Sequence, residues 1–366
     1  MLLFERMCEL RTNIENLIMD QSKFTMNYSF PKNAWYAAAR DVEIGHSLFP
    51  RKICNEPLVM YRNKAGKAVV LQDACWHRLL PLSKGTLIDD EVRCGYHGLR
   101  YNIDGRCTFM PSQETINPSA CVNSYPVVER HRYIWVWMGN PAEADESKVP
   151  DLFWNDHPEW TGDGDVIYGK CNYKLVLDNL MDLTHETFVH SESIGNDAVA
   201  EAPFDVTHTD ESATVTRWMK NIDAPPFWVA QLGKDVKVDR WQIINFIAPA
   251  SIAIDVGVAP EGTGAPEGDR SQGVNGCVVN TITPETDTTC HYFWAFCRNY
   301  DLKNVARTHQ LRAGVTRIFS QDEDILEAQQ KAIEANPGRE FYNLNIDGGA
   351  MWTRRIIDKL VEKERS

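Results

Sequence analysis

Apolar and polar positions follow two different rhythms along this chain. Near the N-terminus Leu3, Met7, Leu10, Ile14 and Leu17 recur at steps of four, three, four and three. That spacing lays one apolar stripe on a helix. Glu5, Arg6, Glu9 and Arg11 interrupt any signal-peptide core. Residues 1–25 therefore read as an amphipathic extension, either docked on the body or a neighbouring subunit, or lying upstream of a start at Met26. The rhythm then changes. Leu58-Val59-Met60-Tyr61 and Ala68-Val69-Val70-Leu71 are short β-prone runs around an Asn63-Lys64-Ala65-Gly66 turn. Tyr101 to Arg106 carries an Asp104-Gly105 hairpin signal. Tyr133 to Met138 is a strong strand closed by Gly139-Asn140-Pro141. The charged, proline-punctuated stretch Ala142 to Pro150 makes a linker. Residues 26–145 are thus expected to form an all-β module.

Residues 151–366 mix both rhythms. Strands are expected at Trp241–Ile247, Ile252–Val258, Cys277–Ile282 and Thr289–Cys297, and helices at Ile318–Ala335 and Arg354–Glu364. The glycine-rich run from Glu261 to Gly276 is either a lid over a pocket or a plain strand connection. The fold class is α+β, an all-β N-terminal module followed by a mixed domain.

Composition removes some classes. Hydrophobic residues make up 43% of the 366, ordinary for a globular protein. Net charge is −13 and no basic stripe stands out, which argues against nucleic acid. No apolar run reaches the roughly 18 residues of a membrane span. The ten cysteines show no disulfide-like pattern and read as reduced thiols of a cytoplasmic protein.

Two of those cysteines belong to a motif: Cys75-Trp76-His77, sixteen residues, then Cys94-Gly95-Tyr96-His97. Each hook offers one thiolate and one imidazole. A zinc finger usually groups like with like. A Rieske [2Fe–2S] cluster uses two Cys on one iron and two His on the other. The mixed hooks therefore point to a Rieske cluster held by Cys75, His77, Cys94 and His97. No spare Cys flanks the ligands, which places the hooks with the oxygenase and ferredoxin branch and not the disulfide-bearing respiratory one.

A second metal is legible further on. Asp182-Leu183-Thr184-His185 and His190 lie on a segment of helical character. Two His plus a distant carboxylate make the facial triad of non-haem iron(II). Gln321-Asp322-Glu323-Asp324 offers three acids. Ile318, Asp322, Ile325, Leu326 and Gln329 share a helical phase, so Asp322 faces inward while Glu323 and Asp324 turn away. A buried acid needs a compensating partner, and a metal is one. Asp182, one helical turn before His185, is placed to hold that ring through its carboxylate. Asp178 and Asn179 extend the polar network.

Together with Phe30-Pro31-Lys32-Asn33-Ala34-Trp35-Tyr36, Asn179-Leu180-Met181-Asp182-Leu183-Thr184-His185-Glu186-Thr187 and Asp239-Arg240-Trp241-Gln242, these residues resemble the Rieske non-haem iron oxygenases from about Phe30 onward. Ala224-Pro225-Pro226-Phe227-Trp228 narrows the likeness to O-demethylases of methoxybenzoates, vanillate among their substrates. The resemblance implies a helix-grip catalytic domain with an antiparallel sheet, and iron ligands His185, His190 and Asp322. It implies a homotrimer in which Asp182 links the iron to His97 of the partner subunit. It also implies O₂ as co-substrate and a separate flavin and iron–sulfur reductase fed by NAD(P)H. Trp76 and Leu79-Leu80 depart from that branch, which has Pro after the Cys and Gly-Ala before Pro81. Ala313 stands where dicamba demethylase has Trp, nine residues before the carboxylate. Phe227, Trp228, Trp294 and Phe296 are candidates to line an aromatic pocket, and His291, Arg298 and Arg317 to meet a substrate carboxylate. Rival readings are ring hydroxylation or N-demethylation on the same scaffold, a Rieske electron carrier, and a zinc-stabilised module.

Overall fold

A computed structural model describes residue 26 and residues 28–365. The expected N-terminal helix lies outside the described residues. The first part of the fold holds ten strands: β1 (Trp35–Arg40), β2 (Phe49–Ile53), β3 (Glu56–Arg62), β4 (Ala68–Gln72), β5 (Thr86–Ile88), β6 (Glu91–Arg93), β7 (Arg100–Tyr101), β8 (Cys107–Phe109), β9 (Val127–Arg130) and β10 (Tyr133–Trp137). They form antiparallel sheets of order β2-β3-β4, β5-β6-β7-β8 and β1-β10-β9. The two short apolar runs are β3 and β4, and the aromatic run is β10.

Beyond the linker come β11 (Thr161–Gly169), α1 (Tyr173–Met181), α2 (Glu186–Val189), α3 (Asp197–Glu201), β12 (Phe204–His208), β13 (Ser212–Asp223), α4 (Pro226–Leu232), β14 (Lys237–Ile247), β15 (Ser251–Pro260), β16 (Val274–Thr286), β17 (Thr289–Arg298), α5 (Val305–Ala335) and α6 (Gly348–Arg365). One seven-stranded antiparallel sheet runs β11-β17-β16-β15-β14-β13-β12, with the 31-residue α5 in the layer packed on it. This is the expected all-β module followed by a domain built on an antiparallel sheet with helices packed on it. All four expected strands fall inside β14 to β17. The edge strand β11 escaped notice because it reads Thr-Gly-Asp-Gly-Asp. Its glycines are needed: a Cβ on Gly164 would lie 1.7 Å from the Trp294 carbonyl oxygen of β17. Helix α5 starts at Val305, earlier than the sequence indicates, because Asn304 caps it by accepting from the Arg307 N–H at 3.0 Å.

The period of two gives each central strand two jobs. Val238, Ile244, Ile254, Val256, Trp294 and Phe296 face the layer of α1, α5 and α6. Ala253, Val279, Phe293 and Ala295 point the other way and share a core with Trp35, Trp135 and Trp137 of β1 and β10. The sheet is therefore the common wall of both halves. The Glu261–Gly276 connection also lies on this second side. Its Ala265 is buried with Trp241 and Ala259, and Arg270 sits 4.5 Å over the Trp241 ring. It caps the sheet opposite the helices and is not a lid on the helical side. Among the described residues no helix is long and apolar enough to cross a membrane.

His291 of β17 seals the seam between the halves. Its Nε2 lies 3.2 Å from the Lys52 carbonyl oxygen. Burial, with the Arg51 charge adding to it, holds the ring down to about pKa 4 against an ordinary 6.5. The unfolded chain binds this proton more readily than the folded one. Stability is therefore full above about pH 6.5 and declines toward pH 4, by up to about 3 kcal/mol. His291→Gln should flatten urea-unfolding free energy over that window; an unchanged pH slope would assign the acid sensitivity elsewhere.

Candidate metal centres and substrate cleft

The two Cys–His hooks are built alike. In the first, the Cys75 N–H donates to Leu80 O at 2.9 Å and the Leu79 N–H to Cys75 O at 2.8 Å. In the second, the Cys94 N–H donates to Leu99 O at 2.8 Å and the Gly98 N–H to Cys94 O at 3.1 Å. Each loop turns on a left-handed residue four after its Cys, Leu79 at φ 59° and Gly98 at φ 76°. Leu79 thus takes a glycine's conformation without being one, at a steric cost that the surrounding loop must hold. Gly95 has no room for a side chain, since a Cβ there would lie 2.6 Å from Lys84 O. Cys75 and Cys94 are buried, whereas His77 and His97 are exposed with ring centroids 4.6 Å apart. The Tyr101 hydroxyl sits 3.2 Å from the Cys75 sulfur. Two thiols inside and two imidazoles outside is the donor set a Rieske cluster takes.

The second centre forms where a helix breaks. Helix α1 ends at Met181. Asp182 is extended, and its carboxylate accepts from the Thr184 N–H at 2.9 Å to start a short 3-10 turn that ends at His185. Helix α2 follows, and His190 comes just after it. Helix α5 brings Asp322 across. His190 Nε2 lies 3.1 Å from Asp322 Oδ1 and His185 Nε2 lies 3.4 Å from the same atom. The ligand atoms of His185, His190 and Asp322 all fall within 4.8 Å of one another. Both rings are turned by bonds at their far side: His190 Nδ1 is 2.8 Å from Gln321 Oε1, and His185 Nδ1 is 2.7 Å from the Asp182 carbonyl oxygen. That leaves both Nε2 atoms aimed at one point, as a facial metal site requires.

The His185 bond corrects one expectation. Within the chain the backbone carbonyl of Asp182, not its carboxylate, orients the ring, because the break in the helix turns the side chain toward Thr184 and, at 3.9 Å, toward Arg217. Burial alone would raise the Asp322 carboxyl, but the two imidazoles beside it bring it down to about 2. The Asn179 amide donates to Asp322 Oδ1 at 3.3 Å. Asp178 instead pairs with Arg354 and ties α1 to α6. Asp324 turns away as expected, but Glu323 is half-buried and lines a small pocket with Asp322, while Ile325 and Gln329 are exposed, so the inward stripe differs from the one the sequence indicates.

A cleft opens beside this centre. His185, His190 and Asp322 line it together with Phe227, Trp228 and Phe296. Four expected contacts are not there. Trp294 packs edge-on against Phe319 behind the wall. His291 lies at the seam described above. Arg298 is fully buried and staples the end of β17 to the start of α5, its guanidinium donating to Thr308 Oγ1 at 2.9 Å and to the Asp301 and Asn304 carbonyls. Arg317 is exposed on α5. The buried cation lining the cleft is Arg240, ion-paired with Glu186 at 2.8 Å. Gln242 Nε2 donates to the same carboxylate at 2.9 Å. The signal was present: Arg240 and Gln242 share the inward phase of Val238 and Ile244 on β14, and polar residues on an apolar phase call for a reason.

Cys–His hooks on a β module, joined to a helix-grip domain with a His-His-Asp centre, define a Rieske non-haem iron oxygenase. Comparison with known proteins narrows this. Residues 34–126 match the Rieske [2Fe-2S] domain and residues 169–363 the vanillate O-demethylase oxygenase C-terminal domain. The chain belongs to the vanillate O-demethylase oxygenase family of Rieske oxygenases. It is 42% identical over 341 residues to a vanillate O-demethylase oxygenase subunit from Pseudomonas sp. (strain HR199 / DSM 7063), covering 92% of this chain and 96% of the relative. It is 41% identical to an iron-sulfur subunit of a toluene-4-sulfonate monooxygenase system from Comamonas testosteroni, covering 92% and 98%. The crystal structure of dicamba monooxygenase bound to 3,6-dichlorosalicylic acid superposes with a TM-score of 0.86 at 32% identity, covering 92% and 98%.

If His185, His190 and Asp322 hold the mononuclear iron, Asp322→Asn should lose about one iron per chain from a total of about three, with the visible spectrum of the cluster intact. Gln321→Leu, which removes the partner of His190 Nδ1, should weaken iron binding by about 10- to 100-fold. Metal analysis and chelator competition measure both. Unchanged iron content in Asp322→Asn would move the third ligand.

Proposed function

We propose that this protein is the oxygenase component of an aromatic O-demethylase, converting a methoxylated benzoate, vanillate or a close relative, to a phenol and formaldehyde. The reading rests on one juxtaposition: an apolar, aromatic-walled cleft runs up to the His-His-Asp centre. The 42% identity to a vanillate O-demethylase subunit over nearly the whole chain supports it. The balance is methoxyarene, O₂, NAD(P)H and a proton giving phenol, formaldehyde, water and NAD(P)⁺. His185, His190 and Asp322 would hold the iron, which with the supplied electrons would provide the O₂ activation needed to hydroxylate the methyl carbon. The chain does the rest. Phe227 and Phe296 clasp the ring, and Ile254, Val256 and Val278 exclude water from its path. A separate reductase delivers the electrons through Cys75, His77, Cys94 and His97.

The same reading makes the working unit a homotrimer in which Asp182 receives His97 of the partner subunit. Two features support this. The cluster tip exposes Trp76, Leu79 and Tyr96, and the catalytic half exposes Phe188, Tyr342 and Leu344. Exposed large apolar groups of this kind mark contact surfaces.

A second reading is oxygenation of a ring methyl on an arenesulfonate. The 41% identity to a toluene-4-sulfonate system favours it. Both readings are tested together. The cluster-replete protein, a reductase and NADH are mixed with a panel of methoxybenzoates and with toluene-4-sulfonate. The expected result is one formaldehyde per phenol formed from a methoxybenzoate. Benzylic alcohol from the sulfonate with no formaldehyde from any methoxyarene would replace the first reading with the second.

A further inference from the structure

The stretch that carries His190 is closed on itself. The His190 N–H donates to Glu186 O at 3.0 Å, and the Ser193 and Gly195 N–H groups both donate to His190 O at 3.0 Å. The Thr187 hydroxyl donates to Asn196 O at 2.8 Å. Gly195 lies directly against the start of the stretch, since a Cβ there would lie 1.9 Å from Glu186 O. Residues 186–196 thus make a compact loop with His190 near its middle. None of these bonds uses an imidazole nitrogen. The closure is therefore independent of what the two His side chains bind.

The sheet grips this loop at several places. Arg217 of β13 stands opposite Gln242 of β14, and Arg240 is two residues along β14 from Gln242. The period of two puts all three side chains on one face. Arg217 Nη2 donates to Thr184 Oγ1 at 2.9 Å, just before His185. Gln242 Nε2 and Arg240 Nη2 donate to Glu186 Oε2 at 2.9 and 2.8 Å, just after His185. Arg240 Nη1 donates to Ile194 O at 2.8 Å, beyond His190. One guanidinium therefore bridges the loop from Glu186 to Ile194. Arg240 and Glu186 are both buried. A planar guanidinium fork fixes two acceptors relative to each other, which a single ammonium does not. A buried ion pair adds little net stability over apolar residues of the same size, so its use is sought in the arrangement it imposes.

We infer that Arg240 is a positioning residue for the mononuclear metal centre. Its guanidinium, together with the close approach at Gly195, holds the Glu186–Ile194 stretch shut and so fixes where the His185 and His190 rings stand relative to each other, with centroids 5.3 Å apart. The inference rests on the reading that His185, His190 and Asp322 hold the iron. Helix α5 then brings Asp322 to two imidazoles whose places are already set by β14. The charge of Arg240 is spent inside the protein, on Glu186, and its work is geometric.

The test reads local order and metal affinity, not turnover. Cluster-replete oxygenase is freed of its mononuclear iron with a chelator, held anaerobic and followed by amide hydrogen exchange before and after Fe(II) is added. The amides of residues 186–196 should be protected at the outset, and Fe(II) should slow their exchange by no more than about threefold. Protection that arises only with Fe(II) would overturn the clamp. Arg240→Lys keeps the charge but does not span Glu186 and Ile194 together. It should speed exchange in residues 186–196 and weaken Fe(II) binding about 10- to 100-fold by chelator competition, with the visible spectrum of the cluster unchanged. Gly195→Ala forces Glu186 O away from the far end of the loop and should weaken Fe(II) binding about tenfold. A folded Arg240→Lys protein that holds Fe(II) as tightly as the parent would overturn the clamp. If Arg240→Lys loses its fold by circular dichroism, Gly195→Ala and the exchange of the parent protein decide. Asp322→Asn run in parallel separates the clamp from the reading beneath it. Iron lost from Asp322→Asn but held normally by Arg240→Lys drops the clamp alone. Iron kept by Asp322→Asn drops the ligand assignment and the inference with it.

Discussion

A carboxylate has been carried out of water at Asp322, and much of the catalytic half is arranged around that fact. The side chain is buried and keeps its charge because His185 and His190 stand within 3.4 Å. An unpaired charge there would cost several kcal/mol or more. The pairing needs two segments far apart in sequence to meet: the broken end of α1 and the middle of α5. The break is what allows it. A continuous helix through Asp182 would not offer its backbone carbonyl to His185 Nδ1, and the ring would lose its orientation. Gln321, next to Asp322 on α5, fixes the other ring. One helix thus supplies both a candidate ligand and the support for a second.

The seven-stranded sheet makes this arrangement rigid. Its strands alternate between the helical side, where the cleft lies, and the side covered by β1 and β10. Adjacent residues on β14 show the division most clearly. Trp241 is buried beneath Arg270 on one side, while Arg240 and Gln242 point to Glu186 on the other. A one-residue slip of β14 would put the indole in the cleft and the guanidinium under the Glu261–Gly276 connection. Register here is therefore a condition of the chemistry as well as of stability.

The hooks follow a different logic. They are short loops that present candidate ligands at a surface, with buried sulfurs and exposed imidazoles. Their shape depends on backbone bonds inside each loop and on two residues held at positive φ. Leu79 in the first hook shows that the loop enforces its conformation even without glycine. The exposed Trp76, Leu79 and Tyr96 around the tip give it an apolar rim. Such a rim suits transient or permanent contact with another protein surface.

The metal chemistry was legible from sequence because it depends on residue type and local spacing. Cys75, His77, Cys94 and His97 carry their signature in two short loops, and helical phase alone separated Asp322 from Glu323 and Asp324. The four central strands were legible for a similar reason, since each is rich in β-branched, aromatic and other apolar residues. What required the tertiary structure was any question of which side a residue faces across the sheet. His291, Trp294 and Arg298 all lie on β17, yet they serve the seam, the helical core and the strand end, and none lines the cleft. Arg240 does, because the packing of distant elements brings that face of β14 to the His-His-Asp centre, which no local pattern encodes. Local rules fix what a side chain can bind; only the packing of distant strands and helices decides what it meets.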